Sequence, residues 1–331
     1  MTGLQQNMVG SWTRRFRSGF KSFALRNSMV GALLLAAIVF SFANPRFASF
    51  NNLQSILIAA APFALIALGQ TLVILTGGID LSVGSVIALS GMVSAWLVVN
   101  QGTPLGLAFA IGVLVGLLVG LVNGFLVAVL DLAPFVATLA TMTAGAGLAY
   151  AVGRGAPIQG IPAEFGVLAN TRWLGLPIPV WLMIVGVIAV GILLQRYTFG
   201  TKIYAVGGNP SAASVAGIKV QRVRFSVYAI SGLLAGLSGV LLSSRVVNAS
   251  PSLGQGYELD SIAAVVIGGA SLFGGRGSVW GTALGLFLIQ TLNNGLDIML
   301  VPSYWQDVIK GVLIAVAVAL DVFISKRQRS R

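Results

Sequence analysis

The sequence has 331 residues, of which 56% are hydrophobic and 8% charged, and its mean hydropathy is +0.93. Because soluble domains carry about a quarter charged residues, this composition indicates a membrane protein. It also excludes a disordered chain, which would have few apolar residues and a high density of charge. The absence of cysteine and histidine removes the usual ligands and nucleophiles of zinc, haem, iron–sulfur and thiol chemistry, so we expect no metal site. The net charge of +12 is concentrated at the chain ends and in one central loop, which suits lipid headgroups and argues against a nucleic-acid partner.

Ten apolar runs, bounded by charged residues, proline or asparagine, are candidate membrane-spanning helices, because about 20 apolar residues in a helix cross the hydrocarbon core. The eighth run is short and rich in glycine, which indicates a broken or re-entrant segment. The sequence therefore predicts an all-α polytopic membrane protein with about ten transmembrane helices. In chain order the runs cover residues 28–43, 53–75, 82–99, 105–130, 133–152, 178–194, 225–244, 259–269, 278–296 and 305–324.

The distribution of Lys and Arg orients these runs. If the N-terminus is cytoplasmic, the inner side carries roughly three times as many basic residues as the outer side, which predicts both termini in the cytoplasm. The first run resembles a signal sequence without a clear cleavage site, so we expect an uncleaved anchor. The predicted organisation is a basic cytoplasmic tail over 1–27, a transmembrane domain over 28–324 and a basic cytoplasmic tail over 325–331. The longest cytosolic connection is 195–223, and the longest periplasmic one is 153–176.

Glycine spacing predicts where helices pack. Gly112, Gly116, Gly120 and Gly124 lie four residues apart in the fourth run, so they share one helical face and let a neighbouring backbone approach closely. A weaker similarity relates GGIDLSVGSV over 77–86 to GGASLFGGRGSV over 268–279. It indicates either an internal repeat, as in many transporters, or a chance likeness between glycine-rich turns.

Polar residues near or inside the spans are candidates for a transport pathway. Asp80 either caps the third span, by accepting a hydrogen bond from the backbone N–H of Ser82 or Val83, or takes part in a gate. Asp260 lies at the entrance to the eighth span. Polar side chains within the spans, Thr141 among them, could line a wet passage for a neutral polyol or equally bind neighbouring helices. The candidate pathway or gate residues are Asp80, Ser82, Asn123, Asp260, Asn293 and Asn294.

The central cytosolic connection contains the string GGNPSAASVAGIKV. Asn209 is a good N-cap, Pro210 suits the first helical position and Gly217 suits the residue after the C-terminus, which predicts a short helix of about seven residues. Its small, nearly uncharged surface could fit a groove on another protein, or the helix could simply join two spans. No G-x-x-x-x-G-K-[ST] string occurs, so we expect no ATP hydrolysis and no catalytic residues in this chain.

Four segments carry a resemblance that extends over about residues 44–321: TLVILTGGIDLSVGSVIALSG, IYAVGGNPSAASVAGI, YELDSIAAVVIGGASLFGGRGSVWGTALG and NNGLDIMLV. Together they closely resemble the permease subunits of bacterial sugar ABC importers, nearest to the ribose type. The resemblance implies a protein of the bacterial cytoplasmic membrane in which two permease chains pair with a cytosolic ATPase that has two nucleotide domains. It also implies a periplasmic sugar-binding protein as the donor of the ligand. ATP and Mg²⁺ would bind to the ATPase, and no cofactor is expected in this chain.

The same resemblance assigns the short cytosolic helix. In such importers a cytosolic helix of the permease docks on the ATPase and transmits its closure. The residues that match this position are Asn209, Pro210, Ser211, Ala212, Ala213, Ser214, Val215, Ala216 and Gly217.

Two other classes of function are weighed against the importer. An ion-coupled secondary carrier for a small polar solute usually needs an ionisable group near the midplane of the membrane. Here the carboxylates lie near span ends, and Lys310 is expected to pair with Asp307 three residues before it. A membrane enzyme lacks a convergent catalytic set. The leading prediction is therefore the translocation-pore subunit of an ATP-driven sugar importer.

Overall fold

The computed structural model describes residues 29–329 and places them in thirteen α-helices, two 3-10 turns and one hairpin. The predicted tail over 1–27 and the last two residues of the predicted C-terminal tail lie outside the described residues. The helices are α1 (Met29–Ala43), α2 (Phe50–Leu75), α3 (Val83–Gln101), α4 (Leu105–Ala128), α5 (Pro134–Val152), α6 (Val167–Asn170), α7 (Ile178–Arg196), α8 (Thr198–Gly208), α9 (Pro210–Val215), α10 (Val220–Val246), α11 (Tyr257–Ile267), α12 (Val279–Ile298) and α13 (Ser303–Arg329).

The all-α polytopic fold class is confirmed. Each of the ten predicted runs falls on a helix. Six of the described helices, α2, α3, α4, α5, α7 and α10, are long and apolar enough to cross a membrane, and α1 is a shorter apolar helix. The short eighth run is α11, which has 11 residues. The number of ten crossings, the location of both termini and the internal repeat remain predictions.

Helix α10 occupies the centre of the bundle and packs against α2, α3 and α4. The closest approach is to α4, where Gly116 and Gly120, the middle two of its four evenly spaced glycines, face Gly232 and Gly236 of α10. A Cβ atom built on Gly116 would lie 2.5 Å from the carbonyl oxygen of Gly232 and from the Cα of Gly236, and one on Gly120 would lie 2.5 Å from the carbonyl oxygen of Tyr228. Because no side chain fits between the two backbones, we call this contact the α4–α10 seam.

A proline inside α2 is accommodated by α10. Pro62 has no N–H, so the carbonyl oxygen of Ile58 loses its intrahelical partner. The guanidinium of Arg245 lies 3.5 Å from this oxygen, and the hydroxyl of Ser238 donates to the carbonyl oxygen of Pro62 at 2.8 Å. In a membrane environment such side-chain donors replace the water that would otherwise satisfy the backbone.

Two glycine-containing connections each join two consecutive helices. The α2–α3 link covers residues 76–82, and the α11–α12 loop covers residues 268–278. They contain most of the two similar strings found in the sequence, and they lie against each other: a Cβ atom built on Gly274 would lie 2.8 Å from the nitrogen of Gly77. The N–H of Gly275 also donates to the carbonyl oxygen of Leu75, the last residue of α2, at 2.9 Å. This contact places the two similar strings side by side.

The predicted connection over 195–223 holds two helices instead of one. Helix α8 was not predicted; it buries Ile203 and Val206 and packs against α2, α7 and α10. Helix α9 has six residues, one fewer than predicted, and begins as expected, with the Asn209 side chain accepting from the N–H of Ala212 at 3.0 Å. Gly217 follows it at a φ of +80°, a conformation that favours glycine.

The predicted outer connection is largely folded. It contains a 3-10 turn (Ala163–Gly166), α6 and an antiparallel hairpin of β1 (Arg172–Trp173) and β2 (Leu176–Pro177). The indole N–H of Trp181, at the start of α7, donates to the carbonyl oxygen of Trp173 at 2.9 Å. The hairpin is thereby fixed to the helix that follows it.

Candidate functional site

Asp80 is the most deeply buried of the candidate pathway residues that carry a charge, with 1% of its surface exposed. The α2–α3 link places its carboxylate against α10. One oxygen accepts from the N–H of Ser82 at 3.0 Å and from the hydroxyl of Ser82 at 2.7 Å. The other oxygen accepts from the hydroxyl of Ser231 at 2.8 Å. Three donors offset the cost of removing this carboxylate from water.

These hydrogen bonds continue into α4 and α5. The side-chain amide of Asn123 donates to the Ser82 hydroxyl at 2.8 Å, and its oxygen accepts from the hydroxyl of Thr141 at 2.6 Å. A continuous chain of polar contacts thus joins α10, the α2–α3 link, α4 and α5. We call it the Asp80 cluster; its members are Asp80, Ser82, Asn123, Thr141 and Ser231.

Two roles were predicted for Asp80, a helix cap and a gate residue, and the structure bears only on the first. The carboxylate does accept from the N–H of Ser82, as the capping interpretation expected, but Ser82 itself is the N-cap residue of α3. Asp80 therefore closes a turn just before the helix. The role of this residue in a gate remains a prediction.

A second polar group lies between α11, α12 and α13. The ammonium of Lys310 is 2.9 Å from the carboxylate of Asp307, the partner expected from their spacing, and 3.4 Å from that of Asp260. The side chains are 24% exposed for Lys310, 73% for Asp307 and 11% for Asp260. The lysine therefore neutralises one buried and one exposed carboxylate at the same time.

A small cleft adjoins this ion pair. Asp260, Lys310 and Asn293 contribute its polar lining, and Ile267, Ile289, Leu292 and Leu313 much of its apolar lining. The side-chain oxygen of Asn293 is buried and accepts no hydrogen bond from the described residues. We call Asp260, Asn293 and Lys310 the Lys310 cleft.

The structure separates the six candidate pathway residues into three places. Asp80, Ser82 and Asn123 lie together in the Asp80 cluster. Asp260 and Asn293 line the Lys310 cleft. Asn294 lies elsewhere, because its side-chain oxygen accepts from the amide of Asn52 on α2 at 2.8 Å.

Two partners in these groups were not predicted from the sequence. Ser231 gave no signal because an isolated serine in an apolar helix is common, although it is part of the small-residue pattern ISGLLAGLSG of α10. The approach of Asp260 to Lys310 was also missed, since 50 residues separate them.

The segment that was predicted to be cytosolic exposes α9 to solvent. Ala213 is its one buried residue and packs in the same apolar cluster as Ile203 and Val206 of α8. Val215 is 91% exposed. Exposed cations, Lys219 and Arg222, follow closely. An apolar side chain held in solvent beside positive charge is suited to a complementary protein surface.

Comparison with known proteins gives consistent matches over most of the chain. The family model described as the permease component of branched-chain amino acid transport systems matches residues 52–318. The chain is 46% identical to the ribose import permease protein RbsC of Bacillus subtilis over 87% of this chain and 90% of that protein. It is 42% identical to RbsC of Escherichia coli K12 over 89% and 93%, and 36% identical to the L-arabinose transport system permease protein AraH of that strain over 91% and 92%. No solved structure matches the chain significantly.

Proposed function

Because this chain belongs to the family of permease subunits of bacterial ABC sugar importers, we propose that its cargo is ribose or a closely similar monosaccharide. The chain is the translocation-pore subunit of such an importer and a multi-pass protein of the inner membrane. An ion-coupled secondary carrier is not favoured. The observation that carries the proposed cargo is the extended similarity to ribose permeases, which exceeds that to the arabinose permease.

Membership in the family implies the partners. A permease subunit has no ATPase site of its own, so it works with a cytosolic ATPase and a periplasmic binding protein. We propose that two permease chains assemble with an ATPase that has two nucleotide domains, and that ATP and Mg²⁺ bind only there. Exposed apolar side chains on α4, such as Leu114, Leu118 and Val122, are available for lipid or a second chain.

The proposed topology has ten crossings with both termini in the cytoplasm. Its support is the excess of Lys and Arg on one side of the predicted spans. This orientation puts α9 on the cytosolic side and the β1–β2 hairpin on the periplasmic side. The exposed ring of Trp173 then lies near the outer interface, where amphipathic aromatic side chains are favoured.

The proposed coupling element is α9. All of its residues except Ala213 are exposed, and Val215 extends almost fully into solvent. Transport can be driven only if the two partners prefer different conformations of the permease. The docked ATPase must bind one conformation more tightly, and the loaded binding protein must bind the second conformation more tightly. Helix α9 supplies the surface through which the ATPase would bind one permease conformation more tightly than the second.

The proposed gate is the Asp80 cluster. Its hydrogen bonds join four separate segments, so rearrangement of these segments must break or exchange polar contacts. A cluster with discrete hydrogen-bonding arrangements is suited to switching between two states. Serine, threonine and asparagine side chains also offer the donors and acceptors that sugar hydroxyls need.

The test is ATP hydrolysis and sugar uptake by the permease co-expressed with its ATPase and reconstituted in lipid. We expect ATP hydrolysis to rise when ribose-loaded binding protein is added, and labelled ribose to accumulate only with ATP. The same assay with arabinose-loaded binding protein and labelled arabinose compares the two sugars as cargo. Uptake that follows a proton or sodium gradient without the ATPase would contradict the importer.

A further inference from the structure

The end of α8 meets the end of α2 and the α11–α12 loop at a single point, where the loop also contacts the α2–α3 link. A Cβ atom on Gly207 would overlap the carbonyl oxygen of Leu75 and lie 2.5 Å from the nitrogen of Gly275. One on Gly274 would lie 2.8 Å from the nitrogen of Gly77 and 2.8 Å from the carbonyl oxygen of Gly207. Three backbones are thus in direct contact with no side chains between them. We call Gly77, Gly207, Gly274 and Gly275 the glycine junction.

Hydrogen bonds hold the glycine junction together. The N–H of Gly275 donates to the carbonyl oxygen of Leu75 at 2.9 Å, which ties the α11–α12 loop to the end of α2. The hydroxyl of Tyr204 on α8 donates to the carbonyl oxygen of Gly277 at 2.9 Å, which ties the same loop to α8. Burial raises the pKa of the Tyr204 phenol above its ordinary value, so this hydroxyl stays protonated and remains a donor.

Helix α8 is followed almost directly by α9. Asn209 alone separates them, and it binds both: its N–H donates to the carbonyl oxygen of Ala205 at 3.1 Å, and its side chain accepts from the N–H of Ala212 at 3.0 Å. Ala213 of α9 shares an apolar cluster with residues of α8. A force on α9 is therefore transmitted to α8 with no flexible spacer between them.

On its other side, the glycine junction adjoins the Asp80 cluster. Gly77 is three residues before Asp80 in the α2–α3 link, and Gly77 and Gly274 both have positive φ angles, +79° and +81°. Asp80 is fixed to α10 by Ser231. A shift of Gly77 must therefore change the position of the Asp80 carboxylate relative to α10 or bend the short segment between them.

We propose that the glycine junction transmits the movement of α9 to the Asp80 cluster, which makes Gly207 and Tyr204 positioning residues for ATP-driven sugar import. This inference rests on the proposed coupling role of α9. It assigns a function to the glycine-rich string of the α11–α12 loop: Gly274 lies between the end of α8 and Gly77 of the α2–α3 link, so the loop connects the two.

Neighbouring glycines of α8 provide a matched test. Gly207→Ala introduces one methyl group into the junction, whereas a Cβ atom on Gly208 meets nothing within 4 Å, so Gly208→Ala is the control. Both variants are reconstituted with the ATPase and the binding protein, and sugar transported per ATP hydrolysed is measured per assembled complex. We expect Gly207→Ala to lower this ratio about 2- to 30-fold, the range of coupling changes along a contact network, and Gly208→Ala to match the wild type.

Tyr204→Phe gives an independent readout, because it removes the hydrogen bond to Gly277 and keeps the ring. We expect it to lower sugar transported per ATP, with unstimulated ATP hydrolysis unchanged. If Gly207→Ala does not assemble, Tyr204→Phe decides. Assembled variants with wild-type ratios would overturn the role of the junction and leave the proposed function intact, whereas a wild-type complex without ATP-dependent uptake would overturn the proposed function itself.

Discussion

Asp80 and Asp260 are both buried carboxylates, but their surroundings stabilise them by different means. Asp80 accepts hydrogen bonds from the backbone N–H and hydroxyl of Ser82 and from the hydroxyl of Ser231, in a region where glycines hold helices close together. Asp260 is paired directly with the ammonium of Lys310 at 3.4 Å, beside a small cleft. The first arrangement depends on several fixed partners, and the second on one flexible cation. The Asp80 cluster should therefore tolerate change less than the Lys310 cleft.

The largest effect is expected at Asp80. Asp80→Ala leaves the hydroxyls of Ser82 and Ser231 without their acceptor in a buried site, which should destabilise the protein by about 3 kcal/mol and abolish uptake. Asp80→Asn keeps the shape and one acceptor oxygen, so it should destabilise less and lower uptake. Thermal unfolding in detergent and ribose uptake measure the two effects. Equal behaviour of the alanine and asparagine variants would contradict a role for the hydrogen bonds.

The next effect is expected at Lys310. Lys310→Met removes the cation and leaves Asp260 buried without it, which should cost about 2 kcal/mol, less than for a fully buried pair because Lys310 is partly exposed. Adding Asp260→Asn removes the unpaired charge and should restore most of the lost stability. Chemical or thermal unfolding of both single variants and the double variant forms the cycle. Additive losses in the double variant would show that the two groups do not interact.

A smaller effect is expected at Ser231. Ser231→Ala removes one of the three donors to Asp80 and should destabilise the protein by about 1.5 kcal/mol. Ser226 lies on the same helix, is only partly buried, and donates an exposed hydrogen bond to the carbonyl oxygen of Arg222, so Ser226→Ala is the control. The two melting temperatures give the comparison. A control that destabilises as much as Ser231→Ala would mean that serine itself, and not its bond to Asp80, matters in α10.

The smallest effect is expected at Asp307. Its side chain is 73% exposed, so Asp307→Asn should change stability by no more than about 0.5 kcal/mol despite the 2.9 Å distance to Lys310. Unfolding at low and high salt measures the remaining attraction, which should fall with salt. A loss comparable with that of Lys310→Met would assign the neutralisation of Lys310 to Asp307 and not to Asp260.

The sequence predicted the positions of the helices better than the contacts between them. Long apolar runs and the cap at Asn209 are local signals, and they located ten helices and the start of α9. Helix α8 was missed because two glycines at its end and a mixture of polar and apolar residues conceal its buried face. The glycine spacing of α4 indicated close packing, but Gly232 and Gly236 of α10, which lie opposite, follow only from the fold.

The candidate site was predicted in the same uneven way. The contact between Asp80 and Ser82 is local and was expected, whereas Ser231 is 151 residues away and Asn123 is 41 residues from Ser82. Long-range contacts of this kind depend on how helices cross, which one sequence does not specify. The six candidate residues consequently proved to lie in three places, although nothing in their spacing distinguished them.

The α4–α10 seam also bears on how the gene for this protein can vary. Every amino acid that replaces glycine adds at least a Cβ atom, and the seam has no room for one at Gly116 or Gly120. Every missense change in these codons is therefore expected to be deleterious, including the change to alanine that most helices accept. Leu114 and Leu118, which alternate with these glycines but are exposed on α4, can vary among apolar residues. In a saturation mutagenesis library selected for growth on the imported sugar, we expect positions that tolerate no substitution to recur every four residues, with permissive positions between them.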